Sequence, residues 1–348
     1  MISNDDYLMD IKDRDFLLEV AIGYTKSISL SIALKLNIPQ LLQSGPKSCE
    51  ELAKITNTHS ENLYRLLRTL STIGIFIEDE EKDGVFSNSR LSLLLTNTSN
   101  SSWINNIYLQ SHPNVIKSFM YLEKTIETGE SHGMTSQGFS SAWEMFELDT
   151  KLKSYFHNTM TCFTQDEINT ILKYIDFNEF ESVVDLGGST GVLLKAIAKS
   201  KNGIKVRSFT NFDLPHVISQ NKQDCEDDRY SDVSGDFFIL DSIPKADCYT
   251  LKFILHMFND DKVLSLLENL KRSIDKNGKV YIFDHIVQPK NTPSAPFYFD
   301  LQMILNFNGK ERSVKEWKDV IDRSPFKINS IRVLSDNKRM SLIELSLK

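Results

Sequence analysis

Residues 183–191, V-V-D-L-G-G-S-T-G, constrain this chain more than any other stretch. Two β-branched residues and a carboxylate running into glycines describe a buried strand that stops abruptly and leaves its backbone open to close approach. The residues that follow, V-L-L-K-A-I-A-K, continue as a helix. Backbone N–H groups and the positive end of a helix dipole therefore face whatever sits on the turn. A dinucleotide fingerprint, G-x-G-x-x-G, does not fit, because the sixth place counted from Gly187 is Val192.

Beyond Phe180 apolar runs alternate with helical segments: V-V-D-L, K-V-R-S-F-T-N-F-D, A-D-C-Y-T-L-K-F-I-L and K-V-Y-I-F-D-H-I. This alternation predicts a doubly wound, Rossmann-like α/β fold, a parallel sheet with helices on both faces. At the C-terminus I-N-S-I-R-V-L and M-S-L-I-E-L-S-L, joined by S-D-N-K-R, predict an antiparallel hairpin at one side of that sheet.

The first third reads differently. Apolar residues at helical spacing, among them Leu17, Val20, Ile28, Ile32 and Leu36, predict a helix over residues 16–42 that closes at Asn37-Ile38-Pro39. Ser48 with Glu51, and Thr58 with Glu61, have the spacing of capping boxes ahead of two more helices. A short hairpin around Asp83-Gly84 follows, and helix, helix and hairpin in this order predict a winged helix. Its wing carries Glu78, Asp79, Glu80, Glu81 and Asp83, which would repel a phosphate backbone. Dimerisation and substrate enclosure suit it better than DNA. Residues 103–174 read as mostly helical, with an irregular insert at 128–141 and a density of aromatic and Met side chains that suits core or a flat apolar ligand.

With 348 residues, two unequal domains are expected. The net charge of −7 argues against nucleic acid as a partner. No apolar run reaches the ~18–20 residues of a membrane span, and the acidic N-terminus does not read as a signal peptide. Cys49, Cys162, Cys225 and Cys248 lie far apart with no C-x-x-C pair, as in a cytoplasmic protein with reduced thiols.

Ligands of doubly wound sheets sit outside the carboxyl ends of the strands. There the chain places Asp185 with the glycine turn, Asp213 twenty-two residues past Gly191 as a ribose-binding carboxylate, Asp236 and Phe237 for a purine, and Lys252 and His256 on the same rim. His285 is a competitor to His256, and strand alternation predicts that it faces away from Asp284, against a helix.

The motifs V-D-L-G-G-S-T-G, F-D-L-P-H-V-I, G-D-F-F, L-K-F-I-L-H, and G-K-E-R followed by Trp317 resemble those of class I S-adenosylmethionine-dependent O-methyltransferases of the plant caffeate and animal acetylserotonin type. The resemblance spans nearly the whole chain. It implies a dimerisation domain over 1–110, a helical linker over 111–175 that contributes to the acceptor pocket, and a cofactor-binding domain over 176–348. It implies a homodimer that transfers a methyl group to a hydroxyl of a small aromatic acceptor, phenolic or polyketide-like, without a metal. His256 falls on the family's catalytic histidine, and Asp284 and Glu311 on the carboxylates that orient it. Asp185, Gly187, Gly188, Asp213, Asp236, Phe237 and Lys252 fall on the cofactor site; Phe156, Met160, Met303 and Asn306 fall on the acceptor pocket. Ser189 stands where the family has a third glycine, Met257 where an aspartate often follows the histidine, and Asp284 where a glutamate is common. Methylation of nitrogen, non-methylating chemistry on the same scaffold, and a non-catalytic winged-helix regulator are the alternatives.

Overall fold

The structure is a computed structural model that describes residues 4–97, 103–221, 225–292, 295–334 and 340–348, with side chains from Lys12 onward. It divides into two compact units, Met1–Ile116 with Ser154–Cys162, and Lys117–Lys153 with Phe163–Lys348.

In the first unit the long helix expected over 16–42 is two helices, Asn4–Ala21 and Gly23–Lys35, followed by the short Ile38–Leu41. Asn37 takes a left-handed φ of 60° at the turn, and Pro39 sits in the first turn beyond it. The apolar positions that set this spacing are largely bare: Leu17 is 66% exposed and Val20 63%, with Ile28 and Ile32 also exposed. Ser48 and Glu51 form the expected capping box on helix Cys49–Thr56. The second expected box is absent. The chain leaves that helix through left-handed Asn57, which carries Thr58 into the turn, and His59 caps helix Ser60–Ser71 by accepting the Asn62 N–H. Strands β1 (Lys47–Ser48), β2 (Phe76–Glu78) and β3 (Val85–Asn88) pair antiparallel in the order β1-β3-β2. Leu63, Leu67 and Leu70 pack with Phe76 and Phe86 beneath them.

The second unit is built on a seven-stranded sheet. Its strands are β4 (Ser182–Leu186), β5 (Ser208–Asp213), β6 (Tyr230–Ser234), β7 (Ala246–Lys252), β8 (Ile274–Asp284), β11 (Phe326–Val333) and β12 (Ser341–Leu347). A separate two-residue pair joins β9 (Ile286–Val287) to β10 (Arg312–Ser313). The order is β11-β12-β8-β7-β4-β5-β6; β8 to β6 run parallel, and the C-terminal hairpin adds β12 antiparallel to β8. The linking S-D-N-K-R lies outside the described residues. Edge strand β6, Y-S-D-V-S, carries no apolar run and so gave no signal in the sequence.

Alternate strand residues enter opposite apolar layers, which is why these segments read as continuous rather than alternating runs. Val184, Tyr249, Ile282 and Ile343 pack with Leu266, Leu270 and Trp317 on one face. Val183, Cys248, Tyr281 and Leu342 pack with Leu193, Ile197 and Phe177 on the other. Among the described residues no single helix is long and apolar enough to cross a membrane.

After β4 the chain turns through Gly187 at φ 75°, Ser189 at φ 53° and Gly191 at φ 72° into helix Val192–Lys199. A Cβ at Gly187 would collide with the Ile254 side chain. Ser189 holds a left-handed conformation that costs an L-residue roughly 1–2 kcal/mol. Glycine would relieve it at some expense in chain entropy, so Ser189→Gly is expected to raise stability by about 0.5–1 kcal/mol. The check is the midpoint of urea unfolding at unchanged m-value; a lower midpoint would contradict the strain.

Candidate active site

The glycine turn rests on a row of polar side chains that runs across the sheet at one level. Strand register aligns Thr250 of β7, Asp185 of β4, Asn211 of β5 and Asp232 of β6. Thr250 Oγ1 donates to Asp185 Oδ1 at 2.6 Å, and Asn211 Nδ2 donates to Asp232 Oδ1 at 2.7 Å and to the Ser189 carbonyl at 2.9 Å. Gly188 lies directly on this row, where a Cβ would strike Asn211 Oδ1 and Asp185 Oδ2. Burial pushes the Asp185 carboxyl up to about 6, opposed by the Thr250 hydrogen bond. Asp213 ends β5 with Oδ2 accepting the Ser189 N–H at 2.9 Å and Oδ1 the Leu214 N–H at 2.7 Å. Each of its oxygens keeps a lone pair for an outside donor. Asp236 Oδ1 accepts the Phe238 N–H at 2.8 Å, and the Phe237 ring packs edge-on against Phe238.

His256 lies in a single 3₁₀ turn, Leu255–Met257, just past the end of β7. Its placement is fixed through its backbone. The His256 N–H donates to Asp284 Oδ2 at 3.1 Å, and its carbonyl accepts the Lys310 N–H at 2.8 Å. Gly309 is packed on that carbonyl and on the Met257 backbone with no room for a Cβ. Beneath the turn the fully buried Arg312 guanidinium donates to the carbonyls of Leu255 at 3.1 Å and Phe258 at 2.8 Å, and to Asp260 at 2.7 Å.

The imidazole meets two buried carboxylates. His256 Nδ1 is 2.8 Å from Glu311 Oε1 and 3.4 Å from Asp284 Oδ1, so Glu311 takes the ring and Asp284 takes the backbone. The shorter side chain of Asp284 thus shows as a long ring contact. Glu311 is only 2% exposed, and a solvated loop charge is excluded. Burial disfavours the charged His256 ring, but Asp284 and then Glu311 outweigh it and raise the imidazole to about 9. Burial pushes Asp284 upward. It acts on Glu311 in the same sense, yet the charge and hydrogen bond of His256, with those of His285, hold Glu311 at about 2.

His285 lies against a helix as expected, stacked on Phe299 of helix Ala295–Asn306, but it also belongs to this cluster, contrary to the alternation argument. Its Nδ1 lies 3.0 Å from the same Glu311 Oε1. β8 ends at Asp284, so alternation no longer governs the next residue. The β9–β10 pairing sets Arg312 against Ile286, which brings the residues before them, Glu311 and His285, side by side. The ligating atoms of His256, Asp284, His285 and Glu311 lie within 4.8 Å of one another. Both ring nitrogens meet Glu311 Oε1 at direct hydrogen-bond distance, while Glu311 Oε2 is buried without a hydrogen-bond partner among the described residues.

Other expected residues are placed as follows. Lys252 pairs with Glu167 at 3.0 Å and lies 4.1 Å over the Phe253 ring. Met303 and Asn306 are on helix Ala295–Asn306, with Met303 buried and accepting the Gly309 N–H through its carbonyl at 3.1 Å. The insert at 128–141 is tied to this helix end, Ser131 Oγ and the Gly133 N–H both donating to the Leu305 carbonyl. Phe156 and Met160 belong to the first unit, on the middle turns of helix Thr150–Tyr174. Residue-by-residue reading missed Thr250, Asn211, Phe253 and Arg312. Arg312 stood inside G-K-E-R without a role; the others carry no signal short of strand register and backbone angles.

Residues 119–327 match the family model of the O-methyltransferase domain, and residues 18–98 that of the O-methyltransferase dimerisation domain. The chain belongs to this O-methyltransferase family and is a methyltransferase acting on a small molecule. It is 65% identical over 362 residues to des-methyl DIF-1 methyltransferase A of Dictyostelium discoideum, covering 100% of both chains. Among solved structures it is similar to the mitomycin 7-O-methyltransferase MmcR, with TM-score 0.87 at 25% identity over 98% of this chain and 100% of that one. Its fold also matches human N-acetylserotonin methyltransferase in complex with SAM, with TM-score 0.85 at 20% identity, covering 96% of this chain and 97% of that one.

Lysine offers one charged head where Arg312 spans three carbonyls, those of Leu255, Phe258 and Lys310, and a carboxylate. Arg312→Lys is therefore expected to cost about 2–3 kcal/mol of stability and to lower kcat more than it raises KM, because the turn that aims His256 is released. Equilibrium unfolding and steady-state kinetics on one preparation check this; a variant unchanged in both would refute the anchor.

Proposed function

We propose that this chain methylates a phenolic hydroxyl of a small aromatic molecule, with His256 as general base and Glu311 and Asp284 orienting it. The observation that carries the reading is the His256–Glu311 contact, in which a buried carboxylate meets Nδ1 at 2.8 Å, where it would orient the ring and stabilise its protonated form.

S-adenosylmethionine is the methyl donor, and the described residues fit it. The turn over residues 187–191 lies close on its support, and Asp213 has lone pairs for a ribose diol. Helix Val192–Lys199 starts at Gly191 with no side-chain cap on its first N–H groups. When bound, the cofactor supplies a methyl group on a positively charged sulfur. The protein's part is to align the acceptor oxygen with that methyl and to take the phenolic proton as attack proceeds.

The electrostatics of the cluster suit that proton transfer. A phenol of pKa near ~10 by analogy with tyrosine faces an imidazole raised to about 9, so the transfer is close to isoenergetic. The acceptor named for the relative, des-methyl DIF-1, is the first compound to test. The dimerisation-domain match and the bare apolar side chains of Phe16, Leu17, Leu18 and Val20 support a homodimer through the first unit. The four cysteines, free in the structure, support a reducing, cytoplasmic setting.

Four outcomes are expected. In a labelled-cofactor assay with mass analysis of the product, His256→Ala and His256→Gln lose about 10²- to 10⁴-fold in kcat; full activity in either would sink the general base. Only neutral imidazole accepts a proton, so kcat should climb with pH and level off above about 9. Glu311→Gln, which removes a charge that favours the imidazolium, should move that limb to lower pH. In light scattering, the double substitution Leu17→Asp with Val20→Asp should halve the particle mass; an unchanged mass would place the dimer contact elsewhere.

A further inference from the structure

We infer that His285 is a positioning residue: it donates its Nδ1–H to the Glu311 oxygen that also serves His256, dividing that oxygen between two imidazoles and so limiting how firmly His256 holds its proton. The inference rests on the general-base reading of His256.

The geometry is explicit. Glu311 Oε1 stands 2.8 Å from His256 Nδ1 and 3.0 Å from His285 Nδ1. Its low protonation range leaves this carboxylate an acceptor only, so both ring nitrogens present hydrogens to it. The His285 ring is held in this pose by aromatic neighbours. It stacks on Phe299 with centroids 5.2 Å apart and planes within 5°, and on its other side meets Phe253 at 4.9 Å. Phe253 also stacks on His256 at 5.8 Å, so a single ring sets the orientation of both imidazoles. The two histidine side chains are 11% and 12% exposed, too enclosed for water to stand in freely for either donor.

Of the other charges, Asp284 also acts on the His256 ring, from 3.4 Å, and it does so equally with or without His285; the rest are engaged elsewhere. Asp284 binds the backbone N–H groups of His256 and His285, both at 3.1 Å. Lys252 is paired with Glu167 and reaches the cluster only through the Phe253 ring. Asp300 takes the Glu311 backbone N–H at 2.8 Å, and Arg312 is turned toward Asp260 and three carbonyls. His285 is left as the polar group beside His256 that acts on Glu311 Oε1. A second donor stabilises the carboxylate and weakens its pull on the first. The sign is the same whether His285 is neutral or charged. Without it His256 holds its proton more firmly, and less of the free base exists at neutral pH.

Two substitutions separate this role from packing. His285→Phe keeps a ring between Phe253 and Phe299 but removes the donor; His285→Asn keeps an N–H near the Nδ1 position but removes the ring. The readouts are ¹⁵N-histidine NMR titration of His256 in the full-length protein and the pH profile of kcat. In His285→Phe the His256 titration is expected to rise by about 0.5–1 pH unit, with kcat at neutral pH falling about three- to tenfold. His285→Asn should titrate like the parent. A His256 titration unmoved in His285→Phe, or moved equally in both variants, overturns the inference. A titration that moves while the kcat limb stays in place upholds the inference and instead removes the general-base reading. Should His285→Phe fail to fold, His285→Leu supplies the donor-free variant.

Discussion

Two carboxylates buried within one hydrogen-bonded group are the constraint on which this structure depends. Asp284 is fully buried and Glu311 nearly so, and an unpaired charge in such a place costs several kcal/mol. The protein treats them differently. Asp284 receives backbone N–H groups and is pushed upward by burial; Glu311 receives imidazoles and stays low. Neither arrangement tolerates slack, because a carboxylate displaced from its donors would protonate or draw in water. The short β9–β10 pairing, the Asp300 contact on the Glu311 backbone, Gly309 against the His256 carbonyl and Arg312 beneath the turn all serve that exactness of position.

Backbone conformation shows where positioning has overridden local preference. Ser189 and Phe253 both hold left-handed φ angles, at 53° and 55°. Neither is glycine, and each such residue costs on the order of 1–3 kcal/mol. One sits in the glycine turn, the other between Lys252 and the His256 turn, with its ring against both histidines. Both residues are held in these conformations by the packing and hydrogen bonds around them. Ser189 offers its backbone N–H to Asp213 and its carbonyl to Asn211 and Asn221, and those bonds hold the strained residue in place.

Much of this was legible in the sequence, and the rest has identifiable reasons for being hidden. The strand–turn–helix at 183–199 could be read because apolar runs, glycines and alanines each have strong local preferences. His256 with Asp284 and Glu311 came from motif resemblance, and the structure brings the three together. His285 was misplaced because strand periodicity was carried one residue past the end of β8. Thr58 was misread as a cap because nothing in T-H-S-E marks the left-handed residue before it. The bare stripe at Leu17 and Val20 followed helical periodicity correctly. Periodicity reports that a face is apolar without saying what covers it. Strand β6 stayed hidden because an exposed edge strand needs no apolar residues, and the polar row under the turn because register is a property of the sheet.

Topology explains why the His256 turn and the glycine turn lie side by side, as the proposed chemistry requires. From β4 the chain goes outward to β5 and β6, then returns across the sheet to lay β7 on the other side of β4. The carboxyl ends of β4 and β7 are therefore the place from which neighbouring connections lead away in opposite directions, the switch point at which ligands of doubly wound sheets bind. The turn at 187–191 follows β4, and the turn that carries His256 follows its parallel neighbour β7. Thr250 and Asp185 tie the two strands together a few residues below. The glycine turn and the His256 turn are thus set on adjacent strands of one sheet. Their spacing is governed by strand geometry, and loop conformation has only the last few residues left to decide.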